Sequence, residues 1–364
     1  MRPRVIQLAS YGGSYAGSFV PMLAAVARAA AERGYDTTFA FSREAEGRGW
    51  LGLLEPLGDI VFLPRTGLAA RPEIGELLAP SRRTILHTHF GGFDEAAALA
   101  ALGRRRTRVV WHLHTGNVRP VRLRSRMHAV VFGRLVDAFV CVSPTVRELA
   151  LARGFPARRV IRHDNAIDVE RFVPITPGER REARRALEVG PDAPVALHFG
   201  WDWWRKGGDR LLAAADALPD LPDLRLLTVL DAEPGDVPRD ELAARPAVRP
   251  LPPRPDVRPL YAAADVFLSL SRLEGLPYAV LEALARGLPV VATDLPVHRE
   301  VLDDLPGARL VTPEADAIAA ATAELLAWPP AARDAHARAA REHVERTYAL
   351  GPWAERLVDL YDRL

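Results

Sequence analysis

The feature that most constrains this chain is the regular alternation of short β-type runs with alanine-rich stretches. Runs such as RVIQLA (4–9), TILHTH (84–89) and RVVWHLH (108–114) are separated by helical segments such as 20–33 and 95–102. Strands that alternate with helices form parallel sheets, because each helix returns the chain to the same end of the sheet. The alternation therefore predicts an α/β fold.

The alternation is interrupted once and then restarts. Residues 174–194 are polar and turn-rich around a short helical segment, and PVALHFG (194–200), DVFLSLS (265–271) and PVVATD (289–294) then have the character of strands again. A chain of 364 residues is also too long for one ordinary core. The sequence therefore predicts two parallel-sheet domains, with a boundary between residues 164 and 175.

The composition is that of a soluble globular protein. Hydrophobic residues make up 49% of the chain and charged residues 26%, and no run of about 18 apolar residues could span a bilayer. The N-terminal apolar run is shorter than the core of a signal peptide. Cys141 is the only cysteine, which excludes an intramolecular disulfide. We expect a cytoplasmic protein.

The net charge of +2 hides an uneven distribution. No acidic residue lies between Glu95 and Asp137, whereas this interval contains Arg104, Arg105, Arg106, Arg108, Arg119, Arg122, Arg124, Arg126 and Arg134. Such a run indicates an anionic acceptor or peripheral contact with an anionic membrane at its inner face, and a solvated basic surface is the alternative. Nucleic acid is disfavoured, because no recognition motif or aromatic stacking pattern accompanies the arginines.

A glycine-rich loop follows the first predicted strand. In SYGGSYAG, Gly12 and Gly13 lack side chains, so their backbone N–H groups can approach an anion beyond the carboxyl end of the strand. A dinucleotide-binding fold is disfavoured, because the G-x-G-x-x-G spacing is absent and the second strand ends in Ser42 and Arg43 rather than in an acid. We expect Gly12 and Gly13 to contact a phosphate-bearing ligand, with a plain tight turn as the alternative.

Lys206 is the only lysine among the 48 Lys and Arg residues. An ammonium group is a compact point charge with three rotatable donors, whereas a guanidinium group is a planar fork. This chemistry suits phosphate oxygens in a narrow space, and the stretch FGWDWWRKGGD places Lys206 just beyond the first strand of the second domain. An accidental surface lysine is the alternative.

The stretch SRLEGLPYAVLEALARGLPVVATD predicts an anion site before a helix. Pro277 suits the first position of that helix, so the N–H groups of Gly275 and Leu276 precede it and face an anion with the helix dipole behind them. Glu274 in the loop and Glu282 in the helix can accept hydrogen bonds from sugar or ribose hydroxyls. For either glutamate alone, a solvated helix residue is the alternative.

These residues resemble a known family. Two glutamates separated by seven residues, followed by GLPVVAT, are similar to the donor signature of the retaining GT-B glycosyltransferases of family 4, also described as glycosyl transferases group 1. RVIRHDNAIDVERFVP is similar to the family's crossover segment, and YALGPWAERLVDLYDRL to its closing helix. The resemblance implies two Rossmann-like domains facing a central cleft: an acceptor-binding domain over 1–168, completed by a closing helix over 349–364, and a nucleotide-sugar-binding domain over 169–348.

The resemblance also implies an activity. Members move a hexosyl or N-acetylhexosaminyl group from a nucleoside-diphosphate sugar to an acceptor hydroxyl, retain the anomeric configuration, and need no metal or other cofactor. In this chain Glu282 would then bind the ribose, Glu274 the sugar hydroxyls, and the N–H groups of Gly275 and Leu276 the diphosphate. Lys206 matches the lysine of the family's G-R-x-x-x-x-K-G motif, which implies that it stabilises the leaving phosphate.

The chain departs from that motif at Trp201, where the family has an arginine. We expect Arg205 to supply the second cation for the donor. Trp201 would then be available to stack on the acceptor, and packing between domains is the alternative.

Histidines end two neighbouring strands of the first domain. WHLHTG is similar to the family segment with a histidine beside the reacting sugar, which assigns that role to His114, although His112 lies on the same face of its strand. We expect His89, Arg119 and Trp201 to contact an acceptor of unknown identity, with a small molecule, a natural product and a lipid-linked sugar all left open. Four histidines in two H-x-H pairs also raise a zinc site, which we disfavour because no cysteine or carboxylate accompanies them.

Two other functions remain open at this stage. A sugar-nucleotide epimerase of the same fold would bind the same donor without an acceptor. A non-catalytic GT-B binding partner is suggested by Trp201, because the loss of an arginine would weaken donor binding.

Overall fold

The computed structural model describes residues 2–114, 123–218, 221–230, 237–302 and 304–364. Contacts within the chain divide it into two compact units. The first unit consists of Met1–Asp168 and Leu350–Leu364, and the second of Val169–Ala349.

The first unit is built on a seven-stranded sheet in which all paired strands are parallel. Its strand order is β3-β2-β1-β4-β5-β6-β7. The chain starts in the middle of the sheet, so β1 and β4 lie side by side and the connections leave in opposite directions from this point, where open α/β sheets bind ligands. The strands are β1 (Arg4–Ala9), β2 (Asp36–Ser42), β3 (Asp59–Leu63), β4 (Thr84–His89), β5 (Thr107–Leu113), β6 (Ala138–Cys141) and β7 (Val160–Arg162).

Helices cover this sheet. Within the described ranges they are α1 (Phe19–Glu32), α2 (Arg71–Glu76), α3 (Asp94–Ala100), α4 (Leu123–Leu135), α5 (Pro144–Ala152) and α15 (Leu350–Arg363), with short 3₁₀ turns between them. The last helix packs against α1, and Trp353, Leu357 and Tyr361 are almost completely buried in the core that they share. Burial of these large side chains fixes the C-terminal helix to the first unit.

The second unit contains a six-stranded parallel sheet in the order β10-β9-β8-β11-β12-β13. The strands are β8 (Val195–Phe199), β9 (Arg225–Val229), β10 (Val248–Leu251), β11 (Val266–Ser269), β12 (Val290–Thr293) and β13 (Ala308–Val311). The helices described in this unit are α6 (Pro177–Ala186), α7 (Trp203–Lys206), α8 (Gly208–Ala217), α9 (Arg239–Ala243), α10 (Arg258–Ala263), α11 (Tyr278–Ala285), α12 (Pro296–Leu302), α13 (Ala315–Leu326) and α14 (Pro330–Tyr348).

The prediction of two parallel α/β sheets is confirmed. One detail differs: α11 begins at Tyr278, so Pro277 is its N-cap residue rather than its first helical residue, with an extended ψ of 103°. In the part of the chain that the structure describes, helices are too short or too polar to cross a lipid bilayer.

Candidate functional site

Lys206 of the second unit is held by a short helix at the carboxyl end of β8. Asp202 caps this helix, because its carboxylate accepts from the backbone N–H of Arg205 at 3.3 Å. Gly207 ends it with φ of +74°, and a Cβ there would lie 2.1 Å from the carbonyl oxygen of Leu270. His198 on β8 adds a hydrogen bond to the Lys206 carbonyl at 3.0 Å. These contacts fix Lys206 beside the end of β11.

The Lys206 ammonium forms an ion pair with Glu274. Nζ lies 2.6 Å from Oε1, and the hydroxyl of Ser271 donates to the same oxygen at 2.6 Å. Only 13% of the lysine side chain and 8% of the glutamate side chain are exposed. Burial alone would raise the pKa of Glu274, but the Lys206 ammonium, Ser271 and Arg205 outweigh burial and hold the pKa below its ordinary value. The carboxylate is therefore ionised at neutral pH.

Arg205 brings a second cation to the same carboxylate. One guanidinium nitrogen lies 3.8 Å from Oε2 of Glu274, while Nε is hydrogen-bonded to Asp202 at 2.6 Å. About a third of the Arg205 side chain is exposed. The structure thus places Lys206 beside one carboxylate oxygen of Glu274 and Arg205 beside the other, although a tryptophan stands where the family motif has its arginine.

Glu282 lies on α11, the helix that follows the Glu274 loop. The hydroxyl of Tyr261 donates to its Oε2 at 2.9 Å, and the glutamate is 7% exposed. Gly275 and Leu276 lie between Glu274 and α11, and Leu276 is buried. Sequence reasoning missed Ser271 and Tyr261: Ser271 lies three residues before Glu274 and could have been noticed, whereas Tyr261 reaches Glu282 only through the packing of α10.

Trp201 lies at the edge of this cluster. Its ring stacks on Phe199 with centroids 4.8 Å apart and is 40% exposed. The ammonium of Lys206 lies 6.0 Å from the Trp201 ring centroid. Within the second unit, Trp201 therefore presents a partly exposed aromatic face next to the cation.

The glycine loop of the first unit is closely packed. A Cβ at Gly12 would lie 2.6 Å from Cβ of Glu44, and one at Gly13 would lie 3.0 Å from the Tyr11 ring. The Gly13 carbonyl accepts from the indole N–H of Trp50 at 2.9 Å. Packing thus explains both glycines, and their contact with a phosphate stays a prediction. Arg119 lies outside the described residues.

The four strand-end histidines of the first unit form one buried cluster. His87, His89 and His112 are 0–1% exposed and His114 is 9% exposed. Nδ1 of His89 lies 3.0 Å from Nε2 of His114, and its Nε2 lies 2.8 Å from Oε1 of Gln7. Burial lowers the pKa of His114 to about 3, and those of the other three lie well below the ordinary value for the same reason. All four rings are therefore neutral at pH 7.

The cluster includes the one group of potential metal ligands found among the described residues. One ligand atom from each of His87, His89 and His112 lies within 4.8 Å of the others. Both nitrogens of His89 already face Gln7 and His114, however, so His89 would have to give up a hydrogen bond to bind an ion. The role of Gln7 was not predicted from the sequence, although Gln7 is the only uncharged polar residue in the mostly apolar run RVIQLA.

Comparison with known proteins agrees with this architecture. The family model described as Glycosyltransferase Family 4 matches residues 22–171, and the model described as Glycosyl transferases group 1 matches residues 193–327. The solved structure of Anabaena HepE in complex with UDP and glucose superposes with a TM-score of 0.82 at 18% identity, over 100% of both chains.

The curated relatives that this chain matches are glycosyltransferases as well. D-inositol 3-phosphate glycosyltransferase of Saccharomonospora viridis is 35% identical over 213 residues, which is 54% of this chain and 48% of that protein. The lipopolysaccharide core biosynthesis glycosyltransferase LpsE of Rhizobium meliloti is 29% identical over 269 residues, 73% of this chain and 72% of LpsE. The chain thus matches about half the length of the first of these relatives and more of the second.

Two parallel α/β units of seven and six strands, with this structural likeness, define a protein of the GT-B fold. The chain belongs to the family 4 glycosyltransferases, the glycosyl transferases group 1. The fold and the family predicted from the sequence are both confirmed.

Proposed function

We propose that the protein transfers a glycosyl group from a nucleoside-diphosphate sugar to an acceptor hydroxyl, with retention of the anomeric configuration. The observation that supports this most directly is the placement of Lys206 and Arg205 around Glu274, at the carboxyl end of a parallel sheet. Two preformed cations at this position suit a diphosphate leaving group.

The Lys206–Glu274 pair has two uses in such a reaction. The donor diphosphate would compete with Glu274 for the ammonium, which is already positioned and needs no reorganisation. The Glu274 oxygens would then accept hydrogen bonds from hydroxyls of the transferred sugar. The short distance of 2.6 Å between Nζ and Oε1 supports the proposal that both functions belong to one donor site.

The bond changes balance without a further reactant. The bond between the anomeric carbon and the diphosphate oxygen breaks, and the acceptor oxygen bonds to the same carbon. The acceptor proton passes to the leaving phosphate oxygen. Lys206 and Arg205 stabilise the negative charge that develops on this oxygen, so the residues described do not have to supply a strong base.

The remaining predicted residues have supporting parts. Tyr261 donates a hydrogen bond to one oxygen of Glu282, and the carboxylate would accept hydrogen bonds from ribose hydroxyls. His114 would contact the sugar, and Arg119 and Trp201 remain our proposals for the acceptor. The expected contact of His89 with the acceptor is not proposed further, because His89 is 1% exposed and both of its ring nitrogens are bonded. HepE was solved with UDP and glucose, which supports a uridine-diphosphate sugar as the first donor to test.

A thermal-shift screen with UDP, GDP, TDP and ADP, each with and without EDTA, tests the donor site. A nucleotide at 100 times its Kd should stabilise the protein by about 2.7 kcal/mol. We expect one nucleotide to raise Tm in the wild type and not in Lys206→Ala. Arg299→Gln is the matched control, because Arg299 forms only a surface ion pair with Asp294 in the same unit.

Turnover is then measured with the sugar nucleotide of that base and a panel of acceptors. An α-linked product from an α-linked donor, identified by the anomeric coupling in its NMR spectrum, supports retention. Release of nucleotide without a glycosylated product would indicate an epimerase instead. The absence of any thermal shift would favour a non-catalytic binding protein.

We also propose peripheral contact with an anionic membrane through α4. Met127, Val130 and Val131 lie on one face of this helix and are 62%, 51% and 53% exposed, within the arginine-rich interval noted above. Sedimentation with phosphatidylglycerol vesicles should exceed that with phosphatidylcholine vesicles. Val131→Gln should reduce sedimentation with phosphatidylglycerol vesicles, and Leu68→Gln, at an equally exposed apolar residue outside α4, should not. Equal sedimentation with both lipids would contradict the proposal.

A further inference from the structure

We propose that Gln7 and His89 are positioning residues that fix the tautomer of His114, so that His114 meets the substrate as a hydrogen-bond acceptor through Nδ1. The inference rests on the proposed function for its catalytic consequence, but not for its structural content. It follows from a chain of hydrogen bonds that links His114 to the C-terminal helix of the first unit.

The direction of this chain is set by the Gln7 amide. Its Oε1 can only accept, so Nε2 of His89, which lies 2.8 Å away, must donate a proton. A neutral imidazole has one N–H, so Nδ1 of His89 has a lone pair. The partner of that lone pair is Nε2 of His114 at 3.0 Å, which must then be the protonated nitrogen of its ring.

The other end of the amide continues in the same direction. Nε2 of Gln7 donates to the hydroxyl of Tyr361 at 3.4 Å, and this hydroxyl lies 2.5 Å from Nδ1 of His87. Since Tyr361 accepts from Gln7, its own proton is available for His87. The three interior groups, His89, Gln7 and Tyr361, thus each use one donor and one acceptor without conflict, while His114 only donates and His87 only accepts within this chain of hydrogen bonds.

Burial keeps the rings of this chain neutral, which the argument requires. His87 and His89 are 0–1% exposed, and burial lowers their pKa values well below the ordinary range. The neighbouring groups are further neutral imidazoles: His112 stacks on His114 with centroids 4.3 Å apart, and His163 packs against Trp353. Among the residues described, no carboxylate is bonded to these rings that would stabilise a second proton.

His114 is the member of the chain that a substrate can reach. It retains 9% exposure, against 0–1% for the other histidines of the cluster, and its Nε2 is already used by His89. The remaining nitrogen, Nδ1, makes no hydrogen bond to the described residues and has a lone pair. The ring can therefore orient a sugar hydroxyl by accepting a hydrogen bond from it. The low basicity of the ring keeps it from removing the hydroxyl proton.

Histidine NMR tests the tautomer directly. In protein labelled with ¹⁵N-histidine, long-range ¹H–¹⁵N spectra distinguish a protonated Nε2 from a protonated Nδ1, and single histidine variants assign the signals. We expect His114 to be protonated at Nε2 and free of a proton at Nδ1 at pH 7.5. If the Gln7 amide were rotated by 180°, the direction of every hydrogen bond in this chain would be reversed, and His114 would be protonated at Nδ1. Detection of a protonated Nδ1 on His114 would therefore overturn the proposal.

Variants test the consequence. Gln7→Met removes the acceptor for His89 and should mix the His114 tautomers and lower kcat about tenfold with little change in KM, the scale of one neutral hydrogen bond. His89→Leu should do the same, and His89→Asn should recover activity, because its side-chain oxygen can accept from His114. Thr38→Val is the control, since Thr38 has a buried hydroxyl group in the same sheet and takes no part in this chain of hydrogen bonds.

The two proposals fail separately. If no glycosyl transfer is found with any donor, the NMR spectra still decide the tautomer. If transfer is found, but Gln7→Met changes neither the spectra nor kcat, the inference is wrong and the proposed function stands.

Discussion

The two units place polar side chains at the same end of a parallel sheet but stabilise them in opposite ways. The first unit buries neutral imidazoles, and His87, His89 and His112 are almost fully removed from solvent. The second unit holds an ion pair, Lys206 and Glu274, with 13% and 8% of their side chains exposed. Desolvation explains the difference. A neutral imidazole can be buried once its tautomer matches the hydrogen-bond partners around it, whereas a buried charge needs an opposite charge beside it.

The largest expected difference between the two units is their loss of stability at acidic pH. Burial places the folded-state pKa values of the first-unit cluster below the unfolded value of about 6.5, and that of His163 at about 4, so the unfolded chain binds more protons below pH 6.5. Stability must then fall as the pH falls, by about 1.4 kcal/mol per pH unit for each such histidine, down to the folded pKa. The Lys206–Glu274 pair is unaffected in this window, because the Glu274 pKa is lowered rather than raised.

Urea unfolding at pH 7.5 and 5.0, followed by peptide-resolved hydrogen exchange, measures this loss for each unit. We expect β4 and β5 to lose more protection than β8 and β11, because five buried histidines with lowered pKa values are described in the first unit and three in the second. The three in the second unit are His198, His298 and His336. His112→Leu should reduce the loss, and His128→Gln, at a partly exposed residue hydrogen-bonded to Glu95, should not. Equal losses in both units would contradict the comparison.

Removing the cation of the second unit should have the next largest effect. Lys206→Ala should lower turnover about 10²-fold or more, the scale of one preorganised charge contact. It also leaves Glu274 without its closest cation, so its pKa should rise. Initial rates at saturating donor measure the effect, Arg299→Gln is the control, and near-normal turnover would exclude this role for Lys206.

The backbone that holds Lys206 should be less tolerant than a similar turn in the first unit. Gly207 and Gly34 have φ of +74° and +77°, but a Cβ at Gly207 would lie 2.1 Å from a backbone oxygen, whereas nothing lies within 4 Å of one at Gly34. Gly34→Ala should cost about 1–2 kcal/mol for the left-handed conformation alone, and Gly207→Ala should cost clearly more. Equal free energies of unfolding would mean that the Leu270 contact relaxes.

Arg205 should have a smaller role than Lys206. It is about one-third exposed and lies 3.8 Å from Glu274, so solvent weakens its interaction with a diphosphate. Arg205→Gln should raise the Kd of the nucleotide about fivefold to tenfold and change kcat less, measured by calorimetry and initial rates. Trp201→Arg, which restores the family motif, should compensate in the double variant, and no compensation would mean that Arg205 does not replace the missing arginine.

The sequence was sufficient for features that depend on short-range pattern. The alternation of strands and helices predicted both sheets, and the segments around Lys206 and Glu274 predicted two groups that the structure brings to 2.6 Å. The start of α11 was missed by one residue, because Pro277 has an extended backbone there. Local sequence cannot distinguish an N-cap proline from a first-turn proline when the loop before it is buried.

Contacts distant along the chain were missed. Gln7 and Tyr361 are 354 positions apart, and their hydrogen bond exists only because α15 packs over β1 and β4. The histidines were noticed as possible sugar or acceptor contacts, but their pairing with one another was not. Period-two alternation places side chains on one face of a strand, yet it does not show which ring nitrogen faces which neighbour.

Removal of metal ions should not change turnover, which makes it the smallest of the expected effects. Lys206 and Arg205 already place positive charge where a diphosphate-bound metal would act, and in the first unit His89 is committed at both nitrogens to Gln7 and His114. Turnover after EDTA treatment should therefore equal that of the untreated protein. If EDTA abolished turnover and Zn²⁺ restored it, the same experiment with His112→Leu would locate the metal. Failure of Zn²⁺ to restore turnover in this variant would place the ion in the histidine cluster. Restoration by Mg²⁺ alone would place the ion at the diphosphate instead.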